Sequence, residues 1–455
     1  MYFLKKYKIP LFIFLLALSA RVVLFFINLS AYGGDFEGTI HGSDWYFEVA
    51  KNITNGIGFS LFPGRPSPIH VPLYPLFLSS SLFLFGNFVF AVIAQIIMGS
   101  CIPVLGRMLS LKLIPSEKIA LFVGIALALE PNLMLFSSIF FSETLFIFLF
   151  LLFILSFISY LEKGSVKLLL LSVFFLGISA LTKPAVQFFP IFLIPIMWWV
   201  SRKNVSFKKI ISHSLLFLII FLSMLSPWLY RNYKVFGTPG MTVIPSLNLY
   251  FTFVPSVLAV HNNTSFALEQ KKLLESPGIH SEILTFKNAS QFNKAAIEII
   301  NPYPKEIAQV VAINMFTFFT HDGMLTVLQN AGITPHMPLS KPAIMLLFSS
   351  PVEFVKTVYS YAFSPFILVL LMRLFWVAVT VSFFVGCARL LREKKITAPV
   401  AVSLIIILYF VVTTPSNGLT ANARFRLPVV PILLTIAAYP FLREKEKQIF
   451  QSKNV

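Results

Sequence analysis

The chain has 455 residues, of which 57% are hydrophobic and only 12% are charged. Because a soluble domain is about a quarter charged and under half apolar, this composition excludes a soluble protein. The net charge of +18 does not indicate nucleic-acid binding, since more than half of the lysines and arginines lie in short segments between apolar runs. Runs of about 20 apolar residues recur, and each is long enough to cross a bilayer. The sequence therefore predicts an all-α polytopic membrane protein whose partners include membrane lipids and no nucleic acid.

The apolar runs predict ten transmembrane helices with both chain termini in the cytoplasm. Basic segments between hydrophobic helices mark the cytoplasmic side, and ten crossings place all of these segments there. The run 69–86 is interpreted as a juxtamembrane or re-entrant helix, because counting it as a crossing would invert every later loop and because prolines crowd its start. The predicted spans are residues 10–30, 88–107, 118–136, 139–160, 166–182, 186–201, 209–228, 363–390, 397–414 and 427–441.

This topology divides the chain into three parts. Residues 1–228 form an N-terminal transmembrane module that includes a first external loop at 31–87. Residues 229–362 form an external segment, periplasmic or lumenal, that is far longer than an ordinary connection. We therefore expect this segment to form helices that lie on the membrane. Residues 363–455 contribute the C-terminal transmembrane helices.

The first external loop carries two of the three aspartates of the chain, Asp35 and Asp44. Ser43 is a favoured N-cap and Gly56 a favoured helix stop, so a short helix is predicted over 44–55. Asp44 is then either a catalytic carboxylate or a residue that stabilises a helix N-terminus, and the spacing alone leaves both interpretations open. The apolar stripe of this helix would consist of Trp45, Val49 and Ile53, and its polar face of Asp44, Glu48 and Asn55.

More polar residues lie at the predicted outer ends of the spans. Each alone fits an interfacial anchor, because basic side chains extend to the membrane surface, and Lys183 is explained in this way. Arginines fit a phosphate better, since a guanidinium group binds phosphate oxygens in pairs and keeps its charge. Carboxylates and arginines on one face indicate an acceptor hydroxyl that meets a phosphate-linked donor. The residues at this face are Glu143, Lys183, Arg231, Asn232, Arg424 and Arg426.

Taken in order, these motifs resemble the GT-C glycosyltransferases, in particular the branch with protein O-mannosyltransferases and the lipid A aminoarabinose transferase. The resemblance covers residues 10–240 and one motif in 420–440, and it leaves 240–360 unmatched. No single motif is specific, whereas the ordered set is. The matching residues are Asp44-x-Tyr46-x-x-x-Ala50, Gly56-Ile57-Gly58-Phe59-Ser60, Val71-Pro72-Leu73-Tyr74-Pro75, Phe85-Gly86, Pro131, Ser142-Glu143, Thr182-Lys183-Pro184, Pro227-Trp228-x-x-Arg231-Asn232 and Arg424-Phe425-Arg426-Leu427-Pro428.

The resemblance implies a GT-C fold and a hexosyl- or pentosyltransferase that uses a polyprenyl-phosphate-linked sugar. An acceptor hydroxyl on a lipid, glycan or protein would attack this sugar with inversion. Asp44 would be the general base or would orient the acceptor, and Arg231 with Arg424 or Arg426, assisted by Lys183, would hold the donor phosphate. The chain departs from its relatives in one respect, because Trp45 stands where they often carry a second acidic residue. Residues expected to support the site or the acceptor are Asp35, Glu37, Tyr46, Glu48, Tyr74, Glu143 and Asn232.

No cofactor is expected, although Asp35, Glu37 and Asp44 are the residues that would hold a divalent metal if there were one. Two other functions stay open: a glycan polymerase or ligase of the cell envelope, and a transporter or flippase of lipid-linked sugars. A transporter predicts paired polar residues at mid-span. Lysine-rich cytoplasmic loops favour a bacterial cytoplasmic (inner) membrane with the active site on its outer face, and the endoplasmic reticulum membrane is the alternative.

Overall fold

The computed structural model describes residues 2–42, 44–201, 206–275, 278, 284–334, 346–347 and 349–442. These residues form helices, apart from one antiparallel hairpin of β1 (Ser60–Phe62) and β2 (Arg65–Pro66), which confirms the predicted all-α class. The helices are α1 (Tyr2–Ala31), α2 (Phe36–Ile40), α3 (Tyr46–Thr54), α4 (Leu73–Phe85), α5 (Val89–Leu113), α6 (Glu117–Ala128), α7 (Pro131–Leu135), α8 (Glu143–Lys163), α9 (Val166–Thr182), α10 (Pro190–Ser201), α11 (Phe207–Phe236), α12 (Ile244–Asn248), α13 (Val254–His261), α14 (Phe266–Glu275), α15 (Ala289–Ile300), α16 (Pro304–Thr320), α17 (Met324–Asn330), α18 (Pro351–Ala362), α19 (Ile367–Arg392), α20 (Ala398–Thr413) and α21 (Val430–Ala438).

Among the described residues, eight helices are long and apolar enough to cross a membrane, or nine if the bent pair α16 and α17 forms one span. One of the eight, Ile244–His261, lies in the segment that was expected to be external. The ten predicted spans thus become eight or nine candidates. Those that coincide with predicted spans are Lys8–Ala31, Val89–Leu113, Glu143–Lys163, Phe207–Phe236, Ile367–Arg392, Ala398–Thr420 and Ala423–Phe441.

The other three predicted spans are shorter helices. The span 118–136 is divided between α6 and α7, because Pro131 begins a new helix and the Glu130 carboxylate caps it by accepting from the Leu133 N–H at 2.6 Å. At this break, Arg21 of α1 donates to the Ala128 carbonyl at 3.2 Å, so a carbonyl at the end of α6 has a hydrogen-bond donor. The span 166–182 is the 17-residue α9, and only 12 residues of 186–201 form α10.

The chain divides into two compact units. The first comprises Met1–Trp228, Ala378–Tyr409 and Leu427–Val455, and the second comprises Leu229–Val377 and Phe410–Arg426. In the first unit, α8 is the central helix and packs on α5 and α9. A row of phenylalanine rings along α8, with successive centroids 5.4–5.6 Å apart, fills this core. The rings belong to Phe146, Phe150, Phe153 and Phe157.

In the second unit, α13 and α16 pack against the 3-10 turn Thr414–Thr420. Gly418 of this turn has a φ of +50°, and a Cβ there would lie 2.1 Å from the Ser256 hydroxyl. That hydroxyl accepts from the Leu419 N–H at 2.8 Å. Only glycine fits this close approach at a positive φ, so the turn is held directly on α13.

The helix of the first external loop differs from the prediction at its start. It begins at Tyr46 rather than at residue 44, because Trp45 adopts a left-handed conformation with φ +57°. The predicted N-cap, Ser43, lies outside the described residues. The predicted stop is confirmed, since Gly56 has a φ of +74° immediately after the C-cap. Placing Trp45 in the apolar stripe was wrong, because its side chain is 49% exposed. The buried face consists of Tyr46, Phe47, Val49 and Ala50.

The apolar run 69–86 folds as α4, which has 13 residues and is shorter than any candidate span. A helix of 13 residues is about 20 Å long, whereas the hydrocarbon core is about 30 Å thick. Its length therefore fits the predicted juxtamembrane helix.

The first external loop docks on the connection between α7 and α8 through a close backbone contact. The Phe140 N–H donates to the Ile40 carbonyl at 2.8 Å. Gly42 approaches the same connection so closely that a Cβ would lie 2.3 Å from the Phe140 carbonyl oxygen. Both Ile40 and Phe140 are fully buried, so this contact fixes the path of the loop just before Asp44.

Gly42→Ala is expected to lower the midpoint of thermal unfolding in detergent, because the new methyl group meets backbone that cannot move aside. Overpacking of this kind costs about 1–3 kcal/mol. Gly38→Ala is the matched control, since its Cβ meets the Asp35 carboxylate, which can rotate away, and the Tyr32 ring at an ordinary contact distance of 3.5 Å. Equal melting of the two variants would contradict the docking contact.

Candidate active site

Asp44 is half-buried and lies directly before Trp45, the left-handed residue that precedes α3. Its backbone carbonyl accepts from His70 Nε2 at 2.7 Å. With Nε2 as the donor, His70 Nδ1 is the acceptor for the Ser67 hydroxyl at 3.0 Å. Burial lowers the pKa of His70 below its usual 6.5, so the ring is neutral at pH 7. A neutral histidine therefore ties Asp44 to the segment that leads into α4.

Tyr46 connects the same loop to the core of the first unit. Its ring packs edge-on between His70 and Tyr74, with centroids 4.8 and 4.7 Å away. Its hydroxyl donates to the Ser142 hydroxyl at 3.3 Å, directly before α8. Tyr46 is 8% exposed and Tyr74 is fully buried. Both predicted residues therefore hold the loop in place.

Tyr74 is in turn anchored by Gln95 of α5. The phenol donates to Gln95 Oε1 at 2.5 Å, and the Gln95 amide donates to the carbonyls of Ser137 and Ile139 at 3.4 and 3.3 Å. Burial, followed by the neighbouring Tyr46 and the charges of Glu143 and Asp44, raises the pKa of Tyr74 well above 10. The phenol therefore stays protonated and keeps its donor role.

Glu143 and Lys183 form an ion pair within the first unit. The Lys183 ammonium is 2.5 Å from the Glu143 carboxylate, whose side chain is only 2% exposed. Glu143 begins α8 and Lys183 follows α9, so the pair joins the ends of two adjacent helices. A lysine in this position is the charge partner of a buried carboxylate.

Two other carboxylates of the loop have basic partners of their own. Glu37 pairs with Lys51 at 2.9 Å, and Glu48 pairs with His41 at 2.7 Å. Asp35 is exposed at the start of α2. Across the described residues, no group of three or more His, Cys, Asp or Glu side chains could hold a metal ion. The three carboxylates considered for a divalent metal therefore do not form a ligand set.

In the second unit, Asn232 positions Arg231. Asn232 is fully buried, and its amide donates to the Gly240 carbonyl at 2.6 Å. Its side-chain oxygen accepts from the Arg231 guanidinium at 2.7 Å. Arg231 itself is half-buried, with its guanidinium 5.4 Å from the Phe236 ring centroid. One part of this guanidinium is thus fixed by the protein at the end of α11.

The two arginines of the C-terminal motif have different surroundings. Arg426 is fully buried and donates to the carbonyls of Phe318, Phe319 and His321 at 2.7–2.8 Å. Its guanidinium also lies 3.6 Å from the Trp376 ring centroid. These carbonyls are at the end of α16, where no helical N–H remains to bind them. Arg426 therefore closes a helix end.

Arg424, in contrast, is half-buried, and its backbone N–H is held by the Asn422 side chain at 3.0 Å. His321 accepts from the Ala423 N–H at 3.3 Å. The turn that carries Arg424 is thus attached on both sides, by His321 before it and by Arg426 after it.

Several residues of these networks were not singled out in the sequence. Gln95 is the clearest, because a buried amide in an apolar span is costly and marks a structural or functional site. The sequence did not single out Trp376, since aromatic residues are common in transmembrane helices. Mid-span charges also proved to be structural: Arg373 pairs with Asp322 at 2.6 Å, and the Glu130 carboxylate caps α7.

Arg426→Lys is expected to lower the thermal unfolding midpoint in detergent strongly, because one ammonium cannot bridge three carbonyls that a planar guanidinium spans. Loss of hydrogen bonds to a charged group costs about 1.5–3 kcal/mol each. Arg424→Lys is the control and should melt close to the wild type. Similar melting of both variants would contradict the structural role of Arg426.

The family model described as dolichyl-phosphate-mannose-protein mannosyltransferase matches residues 67–230. This segment contains His70, Tyr74, Glu143 and Lys183, whereas Asp44 and the arginines discussed above lie outside it. No curated protein matches the chain. The match confirms the resemblance that the ordered motifs indicated. Over residues 67–230 the chain is therefore similar to this family of GT-C membrane glycosyltransferases, which use a lipid-linked sugar donor.

Proposed function

We propose that the protein transfers a hexosyl or pentosyl group from a polyprenyl-phosphate donor to a hydroxyl of a lipid, glycan or protein, with inversion. The observation that carries the proposal is the fixed position of Asp44. Its carbonyl is bound by His70 and the next helix is tied to α8 through Tyr46. A half-buried aspartate whose backbone is held in this way has a fixed position from which to accept a proton.

In this reaction the acceptor oxygen attacks C1 of the sugar from the face opposite the phosphate. The new C1–O bond forms as the bond from C1 to the phosphate oxygen breaks, and polyprenyl phosphate leaves with the electron pair. Asp44 accepts the proton of the acceptor hydroxyl. The leaving group is already a stable anion, so it needs cations rather than a general acid.

We assign the donor phosphate to Arg231 and Arg424. Both residues are half-buried; the Asn232 side chain accepts from the Arg231 guanidinium, and the Asn422 side chain accepts from the Arg424 backbone N–H. Arg426 is committed to the end of α16 and Lys183 to Glu143, so both act as supports in this proposal. Arginine suits the role because its fork binds two phosphate oxygens at once.

To the acceptor side we assign Asp35, Glu37 and Glu48, the other carboxylates of this loop. Tyr46 and Tyr74 are buried and act by holding the loop. We place the reaction at the outer face of a bacterial cytoplasmic membrane. This placement rests on the basic segments between spans, which favour the cytoplasmic side.

Asp44→Asn is expected to reduce sugar transfer by about 10²–10⁴-fold, because the amide cannot accept the proton. The assay follows radiolabelled sugar from crude polyprenyl-phosphate sugars into product in membranes that contain equal amounts of each protein. Glu298→Gln is the control, since this carboxylate is 67% exposed on α15. Transfer by Asp44→Asn at the rate of the control would remove Asp44 from the mechanism.

Arg231→Lys and Arg424→Lys are each expected to raise the donor KM about tenfold, because an ammonium loses the paired contact with phosphate oxygens. Lys294→Met, which removes a cation that is 80% exposed, should leave the donor KM unchanged. Unchanged KM in both arginine variants would assign the phosphate to other residues.

A further inference from the structure

Trp45 is held in an unusual backbone conformation beside the proposed catalytic carboxylate. Its φ of +57° is the left-handed region, which a bulky side chain rarely adopts. The chain is fixed on both sides, by the bond from His70 to the Asp44 carbonyl and by the bond from Tyr46 to Ser142. Backbone strain of this kind persists only where the surroundings impose it, and it concentrates at functional sites.

The left-handed residue takes the indole out of the core. The helix that follows buries apolar side chains, Phe47 and Val49 among them, whereas Trp45 is 49% exposed. Charged residues follow it in α3, among them Glu48 and Lys51, and both of these form ion pairs. An exposed, flat apolar side chain therefore directly follows Asp44 in the chain.

We propose that Trp45 is the stacking surface for a sugar ring at the Asp44 site, an inference that rests on the proposed transferase function. A pyranose or furanose presents C–H groups on its faces and hydroxyl groups around its edge. An indole covers a C–H face with a large, rigid contact area and little loss of side-chain entropy. Aromatic side chains with a few placed polar groups are the usual lining of small-molecule sites. Trp45 then selects sugars that have an unobstructed C–H face.

The chemistry is shared by two sources of a sugar ring, the donor sugar and a glycan acceptor. Hydrolysis of the donor separates them, because water replaces the acceptor in that reaction. If Trp45 contacts the donor sugar, its loss raises the donor KM in transfer and in hydrolysis alike. If it contacts an acceptor glycan, hydrolysis is unchanged and only transfer is impaired.

The test compares Trp45→Phe, Trp45→Leu and Trp45→Gly, with crude polyprenyl-phosphate sugars as donor and equal amounts of protein in membranes. Trp45→Phe keeps an aromatic face and should retain transfer within about threefold. Trp45→Leu keeps a large apolar side chain and Trp45→Gly relieves the backbone strain, yet both should lose about tenfold in kcat/KM for transfer. Phe62→Ala, at a loop aromatic that is 57% exposed, is the matched control and should behave as the wild type.

The outcomes are distinct. Full transfer by Trp45→Leu would overturn the proposal and would assign Trp45 to membrane anchoring, for which any large apolar side chain suffices. Full transfer by Trp45→Gly would also overturn it and would reduce the residue to a backbone role. If these variants are active while Asp44→Asn is inactive, stacking fails and the transferase function stands. If the wild type transfers no sugar, both proposals fail together.

Discussion

The contact between the first external loop and the connection from α7 to α8 is the constraint on which the candidate site depends. It consists of the bond from Phe140 to Ile40 and the close approach of Gly42 to the same backbone. Four residues later, Tyr46 reaches Ser142 at the end of that connection. A polar loop next to a membrane would otherwise sample many conformations, at a cost of about 1–2 kcal/mol for each residue that a substrate had to order. The protein orders Asp44 before any substrate arrives.

In the second unit, a buried arginine holds the end of a helix in place. The helix α16 ends inside the unit, where its last carbonyls need donors, and Arg426 supplies them while it packs on Trp376. The same residue follows Arg424 by two positions, so the helix end and the arginine-bearing turn are held by one side chain. The motif Arg-Phe-Arg therefore combines the half-buried Arg424 with the buried Arg426. Arg424 is the one that we propose for the phosphate.

The membrane class, the juxtamembrane helix and the family resemblance follow from apolar runs, charge and the order of motifs, whereas the roles of the site residues stay predictions. The break at Glu130 and Pro131 was missed because the apolar run continues through it, although the proline was a signal. The start of α3 was misplaced because the strain at Trp45 comes from contacts with His70 and Ser142, which lie far along the chain. Arg424 and Arg426 look alike in sequence, since burial is decided by tertiary packing and not by neighbouring residues. The charges within predicted spans, Arg21, Glu130 and Arg373, are bound in this structure to helix ends or, for Arg373, to Asp322.

The central claim is a single displacement at C1 of a lipid-linked sugar, and it is tested most directly with a donor that carries ³H in the sugar and ³²P in the phosphate. The account predicts that purified protein releases one polyprenyl [³²P]phosphate for each ³H-labelled product, and that the anomeric configuration of the product is opposite to that of the donor. Movement of ³²P together with ³H, either into product as a sugar phosphate or across the bilayer in intact donor, would contradict it. Retention of the anomeric configuration would contradict the direct displacement.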